Sequence, residues 1–98
     1  MSLPVTFHRA ASAEFIEASA WYESKRLGLA LEFLNEIDRC VSLASVQPLQ
    51  FAAVHNDIRR VVAKRFPYSV CFQMESHRIV ILAVFHGSRD PAIWRGRV

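Results

Sequence analysis

Near residue 50 the spacing of apolar side chains changes, and with it the structure the chain can adopt. From Phe15 to Ala44 they recur every three or four residues, whereas from Ile58 onward they alternate or cluster in runs of three to seven. A pattern of period 3.6 leaves an apolar stripe on a helix, and a pattern of period 2 leaves an apolar face on a strand. The chain must therefore place helices first and a sheet second, an α+β arrangement. The run Ile79 to Phe85 is apolar on both faces, so it requires cover on both sides and reads as a central strand.

The remaining elements follow from local signals. Leu3, Val5 and Phe7 alternate with Pro4, Thr6 and His8, which predicts a short strand whose proline suits an edge or a first-residue position. Ser12 is placed to cap a first helix reaching about Arg26, with Phe15, Ala18, Trp21 and Tyr22 at helical spacing. Gly28 ends it, and Leu27, Leu31, Leu34, Ile37, Val41 and Ala44 predict a second helix to about Val46, its apolar face widened by Phe33 and Cys40. So short a connection makes an antiparallel helical hairpin. After a loop over about 47–56, three strands follow at Ile58–Lys64, Tyr68–Glu75 and Arg78–His86. The expected order is β-α-α-β-β-β: a helical hairpin on one face of a four-stranded, mostly antiparallel sheet, with the first strand beside the last.

At 98 residues and 52% apolar content, the chain is expected to be one domain spanning 1–98. No apolar run reaches the roughly 18 residues of a membrane span, and Arg9, Glu14 and Glu17 interrupt any secretory leader, so no membrane partner and a cytoplasmic location are expected. Cys40 and Cys71 are too few for a disulfide framework and too far apart for a zinc site; both are expected to be buried. With no Gly-rich phosphate loop or paired acidic motif either, neither metal nor cofactor is expected.

Charge is unevenly divided. Residues 1–50 carry four basic and six acidic side chains, and residues 51–98 carry eight and three, so the net +3 is −2 followed by +5. Seven of the eight basic residues in the second half are arginines, whose fork suits phosphate or carboxylate, so an anionic partner is implied. Arg59, Arg60, Lys64 and Arg65 suit an edge strand with one wet face, where they could engage an acidic segment, track phosphates or simply prevent aggregation. His86, where a strand meets a Gly-containing turn, reads first as a histidine bonding that turn. Arg89-Asp90-Pro91 reads equally as a local turn or as the carrier of a functional cation. Trp21 and Tyr22 are about 100° apart on a helix; packing of both in the core is the favoured reading, with one of them at a partner-anchoring rim as the alternative.

Ala20-Trp21-Tyr22-Glu23, Leu27-Gly28-Leu29-Ala30-Leu31-Glu32-Phe33, Ile58-Arg59-Arg60, Arg65-Phe66-Pro67-Tyr68, and Leu82 through Pro91 with Trp94 occur in an order that resembles the ParE/RelE superfamily of type II toxin–antitoxin toxins, the ParE branch in particular. The resemblance implies a plasmid-stabilisation-type growth-inhibiting toxin that is neutralised by a cognate antitoxin. In the ParE branch the target is DNA gyrase or a related topoisomerase, and in the RelE branch it is messenger RNA, cleaved on the ribosome without a cofactor. Carried over position by position, Arg60 and Arg89 match RelE-type catalytic cations, whereas Val62 and Ser69 stand where that pattern has Lys and Arg. Trp94 replaces its terminal Tyr, and an indole N–H is no general acid. His86 could stand in as acid or base. The expected function is therefore a binding inhibitor, more a non-enzyme than an enzyme, using Arg59, Arg60, Arg65, Arg89, Trp94 and Arg95. A ribonuclease using Arg60, His86 and Arg89 is the alternative, and a non-toxic antitoxin- or RNA-binding relative a third.

Overall fold

A computed structural model describes residues 2–97. Its centre is a five-stranded sheet in the order β1-β5-β4-β3-β2, formed by β1 (Val5–Phe7), β2 (Ala53–His55), β3 (Ile58–Val62), β4 (Tyr68–Met74) and β5 (Ile79–His86). Only β1 and β5 pair in parallel, Val5 lying opposite Ile79 and Phe7 opposite Ile81; the other pairs are antiparallel. The α+β class, the helical hairpin and the neighbouring of first and last strands are as expected. The strand count is not, because Ala53–His55 lies in the segment read as loop. Asn56, at φ 51°, turns the chain directly into β3, a conformation asparagine tolerates better than most residues. Consequently β3 is not an edge: β2 covers it, and the edge expected of the arginine-bearing run belongs to β2.

A bulge in the β4–β5 ladder explains how β5 meets two cores. Cys71 pairs with Ala83 and Phe72 with Ile81, leaving Leu82 as the extra residue. Ile79, Ile81 and Val84 thus face the helices, while Leu82, Ala83 and Phe85 face the opposite side, where the short helix α3 (Ala92–Arg95) lays Trp94 over them.

The hairpin consists of α1 (Arg9–Lys25) and α2 (Leu29–Val46). It is His8, not Ser12, that caps α1, its Nδ1 accepting the Ala10 N–H at 3.1 Å. The helix starts earlier than expected because the imidazole supplies the acceptor that serine was expected to offer. Gly28, at φ +86°, reverses the chain and has no side chain with which to cap α2. Glu23 of α1 supplies the acceptor, its two oxygens taking the Gly28 and Ala30 N–H groups at 3.1 and 3.0 Å, and these bonds hold its carboxyl below the usual range.

The apolar face of α2 is rotated from the expected one. Phe33, Ile37, Cys40 and Ala44 are buried, whereas Leu27 is 90% exposed, and Leu31 and Leu34 are exposed too. Both stripes have helical spacing; the larger phenylalanine ring takes the core side. It meets Tyr22 at 5.0 Å, Tyr68 at 5.0 Å and Phe66 at 5.2 Å between ring centroids, the tilted and edge-on geometries aromatic pairs favour. Trp21 is 57% exposed, so Tyr22 alone of the adjacent pair enters the core.

Polar bonds fasten the hairpin to the turn before β4. Glu36, with 14% of its side chain exposed, accepts the Lys64 N–H and pairs with Arg39, and these bonds hold its carboxyl down at about 2. A carboxyl depressed in the folded state stabilises it fully above about pH 4.5, and that contribution is lost as pH falls toward 2. Unfolding at pH 2.5 to 7 should therefore show a stability loss of about 1–2 kcal/mol on acidification that Glu36→Gln removes. Denaturant unfolding should also show that Phe33→Ala costs about 3–5 kcal/mol and Leu27→Ala within about 0.5 kcal/mol of nothing.

Candidate functional site

The surface around α3 gathers most of the expected site residues. Cross-strand partners share a face of a sheet. Arg60 is opposite Cys71, and Val62 is opposite Ser69, so all four lie on the α3 side; Arg59, opposite Phe72, lies on the helix side. Trp94 packs against Phe85 at 6.1 Å between centroids. The Arg89 guanidinium sits 5.8 Å from the Phe85 ring and that of Arg95 5.8 Å from Trp94. Arg60, Arg89 and Arg95 are exposed, and Cys71, the partner of Arg60, packs in the same cluster as Trp94. The result is a buried aromatic pair with two solvent-facing guanidinium groups at its rings, Arg89 and Arg95, and a third, Arg60, exposed on the same face of the sheet, a surface suited to carboxylates or phosphates.

The remaining expected residues are placed otherwise. Arg59 donates to the Phe51 carbonyl and so braces the loop before β2. Arg65, at φ 71°, is paired with Glu32 at 2.6 Å, and Glu32 also binds Arg26 at 2.8 Å. Trp94 is 4% exposed, too deep to serve as a contact residue, and its indole N–H has no hydrogen-bond partner among the described residues. His86 accepts the Ser88 N–H at its Nδ1, 3.0 Å away, and so bonds the turn as expected.

A second feature had no clear signal in the sequence. β1 stops opposite Ile81, so Leu82 to His86 have no strand partner on that side. Glu14 of α1 takes the place of a strand. Its Oε1 accepts the Val84 N–H at 3.1 Å, and both its oxygens pair with Arg97, whose Nη1 also donates to the Leu82 carbonyl at 2.8 Å. The pair is nearly buried, with 10% of Glu14 and 12% of Arg97 exposed. Residues 83 positions apart are joined here, beyond the reach of any local pattern. Next to it lies a cleft of about 520 Å³ lined by Glu14, Glu17, Trp21, Tyr22, Tyr68 and Arg89, among others. Burial pushes the hydroxyls of Tyr22 and Tyr68 up from their ordinary value.

Cys40 and Cys71 are buried and unpaired as expected, and burial pushes their thiols up to about 11 and about 12. Among the described residues no cluster of three His, Cys, Asp or Glu side chains could hold a metal, and no helix is long and apolar enough to cross a membrane.

Comparison with known proteins agrees with this architecture. Residues 5–91 match the family described as the ParE toxin of the type II toxin–antitoxin system, parDE. The fold is similar to a solved structure of a chromosomal ParDE toxin–antitoxin system from P. aeruginosa, with a TM-score of 0.73 and 21% identity over 87% of this chain and 96% of that one. A search of curated protein sequences found no match.

Because the Glu14–Arg97 pair closes the free edge of β5, Glu14→Gln should destabilise the fold by about 3 kcal/mol, the cost of leaving a buried charge unpaired. Replacing both, with Glu14→Gln and Arg97→Met, should recover part of that loss in urea unfolding. In the native wild-type chain neither thiol should react with iodoacetamide at pH 7.5, whereas both should react in 6 M guanidinium.

Proposed function

The chain belongs to the ParE toxin family of type II toxin–antitoxin systems, and from that premise we propose that it inhibits a topoisomerase-type target such as DNA gyrase by binding it, and is neutralised by a cognate antitoxin. The observation that carries this reading is the α3 face, where Arg89 and Arg95 stand exposed at the rings of the Phe85–Trp94 pair and Arg60 is exposed on the same side of the sheet. Guanidinium groups held at aromatic rings and open to solvent are binding groups. They form bidentate pairs with carboxylates or phosphates, and stacking on the rings limits the side-chain entropy lost on association. The same chemistry suits an acidic antitoxin segment, which would compete for the face the target needs.

The bonding of His86 also favours binding over cleavage. Its Nδ1 accepts the Ser88 amide and lies 2.8 Å from the Ser88 hydroxyl, which leaves one ring nitrogen for any proton transfer. Ser69 and Val62, which flank the Arg60–Cys71 pair on the same face, supply no cation for a scissile phosphate.

Expression of the chain without antitoxin should stop growth with induction of the DNA-damage response and with transcripts intact. Arg60→Glu combined with Arg95→Glu should abolish the arrest while leaving the thermal unfolding transition in place. Prompt cleavage of messenger RNA at ribosome-phased positions would instead favour an endoribonuclease, and unchanged toxicity of the double variant would remove the α3 face from the mechanism.

A further inference from the structure

We propose that the cleft between α1 and the end of β5 is a receptor for the guanidinium group of an arginine side chain carried by a protein partner. It shares Arg89 with the α3 face but is independent of the topoisomerase reading. One wall is a stripe of α1 on which Glu14, Glu17 and Trp21 follow one another at spacings of three and four, with Tyr22 beside it; the other is built from Pro67, Tyr68, Val84 and His86, with Ser88 and Arg89 at the turn beyond β5.

Three observations select a cation with an apolar stem. First, both carboxylates of this stretch line the cleft. Glu14 is already satisfied by Arg97 and the Val84 amide, but Glu17 makes no hydrogen bond or ion pair among the described residues. An unpaired carboxylate beside aromatic rings is what a guanidinium needs and what an anion would avoid. Second, the walls are aromatic: Tyr68 meets His86 at 5.1 Å and Tyr22 at 6.1 Å, and Trp21 meets Tyr22 at 5.1 Å. His86 adds a further ring to the wall, fixed by the Ser88 amide at its Nδ1. Third, Trp21 already holds a cation, the Lys25 ammonium, 5.0 Å from its ring centre, although that tryptophan is largely exposed. The arginine stem would lie along Ala18 and Tyr22, with its planar head between the rings and Glu17. A lysine ammonium is more strongly hydrated and cannot stack, so it fits less well.

Among the described residues Arg89 is the one cation in the lining, and its placement explains why the cleft is not filled from within. Its guanidinium reaches only to 3.7 Å from Glu14, whose oxygens Arg97 already occupies at 2.8 Å, and it rests on Phe85 instead. It is thus a competing charge within the lining. Its removal should therefore tighten the binding of an incoming guanidinium, which separates this site from one that uses Arg89 to hold an anion.

The test is a titration of the full-length, isotope-labelled chain, followed by the Trp21 indole and Ser88 amide resonances. The probe is a capped Gly-Arg-Gly peptide, compared with peptides carrying citrulline, lysine or glutamate in place of arginine, and with free L-arginine. Expected are saturable shifts with the arginine peptide and weaker ones with lysine. Citrulline, the neutral isostere, should bind about tenfold more weakly or worse. Glu17→Gln, a change on an exposed side chain, should weaken arginine binding by a similar factor with the rest of the spectrum preserved, and Arg89→Met should strengthen it. Equal binding of citrulline, preference for glutamate, or indifference to Glu17→Gln would overturn the proposal. Tighter binding of free arginine than of the capped peptide would overturn the assignment to a protein partner.

Discussion

The burial of β5 on both faces is the constraint from which the rest of the structure follows. A strand reading Ile-Val-Ile-Leu-Ala-Val-Phe exposes apolar surface whichever way it is turned, at roughly 25 cal/mol per Å². The helical hairpin covers one face through Phe33, Ile37 and Tyr22. The other is covered by one short helix, whose Trp94 lies over Leu82, Ala83 and Phe85. The Leu82 bulge lets a single strand serve both cores. The same demand reaches the strand's free edge, where Glu14 and Arg97 replace the missing neighbour and anchor the chain just after α3 to the first helix. The segment that presents Arg89 and Arg95 is therefore held at both ends, by β5 before it and by Arg97 after it.

Charge is used inside the molecule as well as on it. The acidic first half and basic second half suggest a surface awaiting an anionic partner. Part of that asymmetry instead joins the two halves, since Glu32 meets Arg65 and Glu14 meets Arg97, and Glu36 adds a bond to the uncharged Lys64 backbone N–H. Sorting the basic residues by their internal partners thus reduces an undivided basic half, on the α3 side, to Arg60 and Arg95, with Arg89 exposed beside them and only 3.7 Å from Glu14.

What could be read from the sequence was what depends on local periodicity. The two helices, the three long strands, the buried cysteines and the histidine that bonds its turn all follow from spacing and neighbouring residues. The failures have physical causes. α2 carries Leu31 and Leu34 beside the stripe Phe33-Ile37-Cys40-Ala44, while Leu27 lies in the turn before it, and only packing against Tyr22, Phe66 and Tyr68 decides which side turns inward. β2 is three residues long, too short for alternation to register, although Asn56-Asp57 before Ile58 is a turn signal that could have marked it. Arg59 and Arg60 are adjacent, so they lie on opposite faces, and a run of basic residues does not reveal which of them braces a loop and which faces solvent. The cleft beside Glu17 was illegible because its walls come from residues about fifty to seventy positions apart.

A toxin of this family that works by occupying its target needs an exposed, rigidly backed set of charges more than a titrating pair, and the α3 face has that form. The most direct measurement is an in vitro supercoiling assay with purified DNA gyrase and purified chain. Wild-type protein should inhibit supercoiling in proportion to its concentration, and the Arg60→Glu, Arg95→Glu variant, folded but altered only on the α3 face, should not. Supercoiling unaffected by the wild-type chain at concentrations that arrest growth, or inhibited equally by both proteins, would contradict this account.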